Sequence, residues 1–222
     1  MENVNKFESM AQESLKLAKQ EKELAKESKM VGQSEIKRAK ARELLVSEEL
    51  ELAKIKRAWA EKKLNLVIEK RSLKKKGFID IEELDLKTEE DTALYNQKTA
   101  VIQQQIAELN SDIAYLEKKI AKRIIALVDE KLDAAKERER LAKRQEDHAK
   151  TLKDNADESK ISSSLEQVKF QEKVLLKARN RITEEESQIH IKQNELSNLK
   201  KLYAQKLSER EKIRHNEIKS DF

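Results

Sequence analysis

The side chains able to do chemistry in this chain are almost all charged. Lysine and arginine number 48, aspartate and glutamate 43, and there is no cysteine. Thiol nucleophiles, disulfides and cysteine metal sites are therefore excluded. The three histidines, His148, His190 and His215, stand 42 and 25 residues apart, whereas metal-binding histidines usually come closely spaced. A phosphate loop needs more glycine than Gly32 and Gly77. Carboxylate pairs such as Glu48/Glu49, Glu89/Glu90 and Glu184/Glu186 abound, but acid–base catalysis needs one carboxyl buried so that its pKa moves. The expectation is a non-enzyme with no cofactor, no metal and no small-molecule substrate.

What remains is clustered positive charge. Lys37, Arg38, Lys40 and Arg42 form one group, Lys54, Lys56 and Arg57 a second, and Lys70, Arg71, Lys74, Lys75 and Lys76 the densest. Later groups are Lys118, Lys119, Lys122 and Arg123; Arg138, Arg140, Lys143 and Arg144; and Lys177, Arg179 and Arg181. Lysine and arginine that neutralise phosphates give salt-sensitive, sequence-independent nucleic-acid binding. A charge run on a helix is equally a solvated face, and glutamates interleave many of these groups. The same cations could meet an anionic membrane surface, but Val4, Phe7, Met10, Leu15 and Leu17 with Lys6 and Lys16 make a weak interfacial helix.

The elements carrying these charges are long helices. There is no proline, 41% of residues are charged and 4% aromatic, the composition of coiled coils. Met10, Leu17, Leu24, Val31, Arg38, Leu45, Leu52, Trp59, Leu66 and Leu73 keep a seven-residue register straight through Gly32. That period predicts one long helix supercoiled against a partner, with Trp59 in the core and Gly32 a weak point. Gly77 can end a helix in the left-handed conformation. Asp80 and Glu83 have capping-box spacing, with Ile79 and Leu84 at the staple positions, so an antiparallel hairpin is expected here.

The second segment carries the best a/d pattern: Ile102, Ile106, Leu109, Ile113, Leu116 and Ile120, then Ile124 and Leu127 after a stutter. Tyr115 belongs to the same side. The polar run from Asp154 to Ser164, with Ser163 and Glu166 spaced as a second capping box, predicts a soft break. A third stripe holds Val168, Leu175, Ile182, Ile189, Leu196 and Tyr203, its other heptad position being polar at Glu172, Arg179, Glu186, Gln193 and Lys200. The expected organisation is all-α, long coiled-coil helices in a helical hairpin or an elongated three-helix arrangement: 1–76 a basic coiled-coil helix, 77–84 a connection, 85–155 the strongest core, 156–164 a break and 165–220 a weaker helix. Residues 1–76 carry 20 basic against 13 acidic groups and residues 77–160 carry 15 against 20, which favours packing the first segment on the second.

The stripes Met10 to Leu73 and Ile102 to Leu127, the basic clusters and the absence of proline together resemble the spirochaetal coiled-coil proteins. That resemblance implies a cytoplasmic filament former that binds nucleic acid. The hairpin at Gly77 is similar to the long-helix hairpins of phage-shock and ESCRT-III-like membrane scaffolds. Self-association is the expected partnership, with non-specific nucleic-acid binding beside it; a membrane scaffold and an adaptor for a specific protein are the alternatives. No apolar leader opens the sequence and no stretch approaches the ~20 apolar residues of a membrane span, so a cytoplasmic location is expected.

Overall fold

The computed structural model describes residues 2–154 and 156–220, with side chains described for 3–154 and 156–215. Met1 and Asn155, which bound two of the expected segments, lie outside the described residues. The chain is all-α, with three long helices: α1 Glu2–Lys75, α2 Glu83–Lys153 and α3 Glu158–Ser220. Contacts divide it into two compact units, one of residues 1–37 and 119–193, the other of 38–118 and 194–222. Each unit takes a stretch of every helix.

The end of α1 follows from Gly77, whose φ is +71°. The Phe78 amide donates to the Leu73 carbonyl at 3.0 Å and the Gly77 amide to the Lys74 carbonyl at 2.9 Å. This paired closure satisfies carbonyls that the helix end would otherwise leave without donors. The expected capping box does not form. Helix α2 begins at Glu83, with the Leu86 amide bonded to the Glu82 carbonyl, so Asp80 lies too far upstream to cap it. Glu83 turns instead to Lys74 at 3.0 Å and Arg71 at 3.6 Å. The Lys74 bond, aided by its charge, holds the Glu83 carboxyl below its ordinary pKa. Leu84 is exposed, so the expected staple is absent; the anchor is Leu86, fully buried two residues on.

The second break is also shorter than the sequence suggests. Asp157 caps α3, accepting from the Lys160 amide at 2.9 Å, a bond that satisfies a free donor of the first turn. Ser163, expected to cap, and the rest of 158–164 therefore lie inside α3.

In the first unit, α1 and α2 run antiparallel: Ser14 bonds Gln145 at 3.2 Å, Lys22 pairs with Glu139, and Lys29 pairs with Asp129 at 2.7 Å. Between them the buried residues are small. Ala11, Ala18, Ala25 and Gly32 from α1 meet Val128, Ala135, Ala142 and Ala149 from α2, each set at seven-residue spacing. The register set by those pairs places Ala18 level with Ala142. Gly32 has a structural use here: a Cβ at that position would lie 3.1 Å from Ile125 Cγ1. Its absence admits the α2 isoleucines, so the glycine expected to be a weak point is part of the seam.

The second unit repeats the device. Ala39, Val46, Ala53 and Val67 of α1 and Ala93, Ala100, Ala107 and Ala114 of α2 are buried, and Leu64, Val67 and Ala93 form one cluster. Arg42–Glu117 at 2.6 Å, Lys118–Glu43 and Lys70–Glu89 at 2.8 Å keep the antiparallel register. Alanine seams let helix axes approach toward the lower end of the usual ~8–10 Å. They also combine the best helix propensity with no side-chain entropy to lose.

Helix α3 packs on a different side of α2. In the first unit Ala134 and Leu141 meet Val168, Leu175 and Ala178, with Ile182 against them. The second heptad position of α3 is not the polar line expected. Glu172, Arg179 and Glu186 point outward, while Gln171 and Ala178 are buried. Gln171 donates to the Glu137 carboxylate at 2.7 Å, which satisfies its amide inside the seam.

Candidate self-association surface

The three expected stripes fare differently. On α2, Ile102, Ile106, Ile113, Leu116 and Ile120 are buried and Leu109, Ile124 and Leu127 half-buried. On α3, Val168, Leu175 and Ile189 are buried and Ile182, Leu196 and Tyr203 half-buried. On α1 the stripe is not the seam this chain buries. Met10 and Leu73 are half-buried, but Leu17, Leu24, Val31, Leu45, Leu52, Trp59 and Leu66 are exposed. The buried line is the neighbouring one, a single residue further along in each heptad, from Ala11 to Val67, with only Ala60 half-buried. Trp59, expected in a core, is 74% exposed, and Tyr115 is exposed as well.

In the second unit the consequence is an apolar strip on α1, interrupted by Glu48 and Lys62. Leu45, Leu52, Ile55, Trp59 and Leu66 all show more than half their surface. Beside it a groove of about 880 Å³ runs between Ile55, Trp59 and Leu66 of α1 and Asn96, Thr99 and Gln103 of α2. Thr99 Oγ1 is buried there without a hydrogen-bond partner. Every interhelical ion pair that α1 makes among the described residues goes to α2 and lies off this strip.

About half of the basic-cluster side chains are engaged inside the fold. Arg42 pairs with Glu117, Lys54 with Glu51 at 2.7 Å, Arg57 with Glu61 at 2.8 Å, Lys70 with Glu89, Arg71 with Glu90 and Lys74 with Glu83. Arg138 pairs with Glu21 at 2.8 Å, Arg123 with Glu185 at 3.0 Å and Arg181 with Glu130 at 2.9 Å. Among the described residues, Lys37, Arg38, Lys40, Lys56, Lys75 and Lys76 are exposed and make no ion pair. Only the pairs that cross between helices help to fix register, and each exposed pair contributes only ~0–1 kcal/mol.

Of the histidines, His190 and His215 are exposed and His148 is 2% exposed. His148 lies 2.7 Å from Ser164 Oγ through Nδ1 and takes Phe7 edge-on, ring centroids 4.5 Å apart. Burial holds its pKa below the ordinary value. Residues from all three helices therefore meet at one imidazole, a junction that sequence spacing could not reveal. Among the described residues no cluster of histidine, aspartate and glutamate is arranged to hold a metal, and no helix is long and apolar enough to cross a membrane. No protein-family model, curated protein or solved structure matches the chain.

Proposed function

We propose that this chain is a structural protein that assembles with copies of itself, a scaffold or filament subunit rather than a catalyst. One observation carries the reading: the heptad leucines of α1 lie outside the seams this chain buries. A heptad stripe is designed for another helix, and a contiguous exposed apolar patch marks an interaction surface. The cations left without a carboxylate, among them Lys37, Lys40, Lys75 and Lys76, support a weak, salt-labile contact with nucleic acid, which assembly strengthens through avidity.

Sedimentation velocity across a hundredfold range of concentration tests the first part, and co-sedimentation with a short DNA duplex at low and high salt tests the second. Concentration-dependent growth is expected, with DNA lost as salt rises. A chain that stays monomeric throughout sinks the proposal.

A further inference from the structure

We propose that the second copy docks antiparallel on α1 of the second unit, about a two-fold axis between Leu52 and Ile55. This rests on the self-assembly reading and specifies its geometry. The charge written into the apolar strip carries it. Its main line holds Arg38, Leu45, Leu52, Trp59 and Leu66, and the companion line three residues on holds Ala41, Glu48, Ile55, Lys62 and Glu69. Arg38, Glu48, Lys62 and Glu69 are all exposed and make no ion pair among the described residues. Glu21, Lys22, Lys29, Arg42, Glu43, Lys70, Arg71 and Lys74 pair with α2, whereas these four charges lie on the apolar face, where a second helix would meet them.

Their order decides which partner. Two copies of α1 laid parallel and in register would place Arg38 on Arg38, Glu48 on Glu48 and Lys62 on Lys62, and like charges facing each other oppose association. Antiparallel pairing about the chosen axis sets Leu52 level with Ile55 of the second copy and Arg38 level with its Glu69. Glu48 then lies within one turn of Lys62, and Trp59 packs beside Leu45. Each of these two opposite-charge pairs forms twice, as an isologous two-fold interface requires. The five apolar side chains, at roughly 100 Å² each, offer about 500 Å² per copy. That is more than half of the ~800 Å² each partner gives a standard interface. The groove beside Trp59, about 880 Å³, supplies a concave flank for the incoming helix.

The absence of cysteine makes the test direct. Full-length chains carrying Glu51→Cys or Ser72→Cys are spin-labelled, and label-to-label distances are measured by pulsed dipolar spectroscopy beside sedimentation. At 1.5 Å rise per residue, the antiparallel pair predicts under about 25 Å for the first label and about 55 Å for the second. Short distances at both positions mean a parallel pair and overturn the inference. Dimers with neither distance overturn it too, while leaving self-assembly standing; monomers overturn both.

Charge exchange gives a second readout. Glu48→Lys or Lys62→Glu alone is expected to weaken self-association about tenfold or more, and the double exchange to restore it. Single exchanges without effect, in chains whose circular dichroism is unchanged, contradict the antiparallel pairing.

Discussion

Leu24 and Ala25 are neighbours on α1, and the structure assigns them opposite roles. Leu24 is 64% exposed, while Ala25 is 4% exposed and lies in the seam with α2. Reading by hydrophobicity makes the leucine structural and the alanine filler; the fold reverses this. Consider Leu24→Ala first. Fully burying a leucine stabilises by ~1.5–3 kcal/mol, and Leu24 hides only about a third of its surface, so its loss costs ~0.5–1 kcal/mol. Alanine's better helix propensity returns a few tenths of that. Ala25→Leu is another matter. It adds three carbon atoms at a position closed by α2, and overpacking of this kind costs ~1–3 kcal/mol. Where the seam is held by alanines on both sides, neither helix has a long side chain that can rotate away, so the upper half of that range is expected. Urea unfolding followed by far-UV circular dichroism, at a concentration low enough to suppress association, measures both. The midpoint for Ala25→Leu should fall well below that for Leu24→Ala, with similar slopes. If Leu24→Ala proves the more damaging, the alanine seam is not what joins α1 to α2.

Two further outcomes follow from particular side chains. His148 is buried and its pKa is depressed by desolvation. Above the ordinary value of about 6.5 both folded and unfolded chains hold it neutral, so stability is flat. As pH falls below that value the unfolded chain takes up a proton that the folded chain resists, and stability declines until the folded-state pKa is passed. Urea midpoints at pH 7.5 and 5.5 should show this loss, and His148→Gln should reduce the difference; an unchanged difference would refute the assignment. Gly77→Ala should cost ~1–2 kcal/mol, because a Cβ is disfavoured in the left-handed region, although nothing lies within 4 Å to collide with it. A neutral result would mean that the α1 terminus is not held at that φ.

Much of the fold is legible in the sequence, because the signals there are strong ones. The absence of proline and an unbroken seven-residue register give long helices, and Gly77 gives the end of the first to within a residue or two. The caps are less legible. Asp80 and Ser163 have the right spacing to their glutamates, but spacing alone does not say where a helix starts; Asp157 does the capping at α3 and Glu83 is drawn to Lys74. The α1 seam was hidden for a more general reason. Two heptad stripes lie side by side on α1, one of leucines with a tryptophan and one of alanines with a glycine and valines, separated by a single residue. Ranking by hydrophobicity selects the first. Yet an antiparallel pair opposing alanine to alanine gains close packing along its whole length, and only a look at the partner helix reveals it, because α2 carries a matching alanine line from Ala93 to Ala149.

The two α1 stripes also explain each other. If α1 served only to fold against α2, the neighbouring line could be lysine and glutamate, as much of its surface is, at little cost to the seam. Keeping large apolar groups exposed at seven positions from Leu17 to Leu66 makes the isolated chain prone to aggregation and stabilises it only slightly. A specific partner removes that disadvantage, and the free charges on the strip restrict which alignments are tolerated. Arg38, Glu48, Lys62 and Glu69 would oppose a parallel pair and would punish register slips in an antiparallel one, as polar residues in coiled-coil seams do. On the self-assembly proposed above, the alanine line builds the monomer, and the leucine line, with its four charges, chooses what the monomer joins.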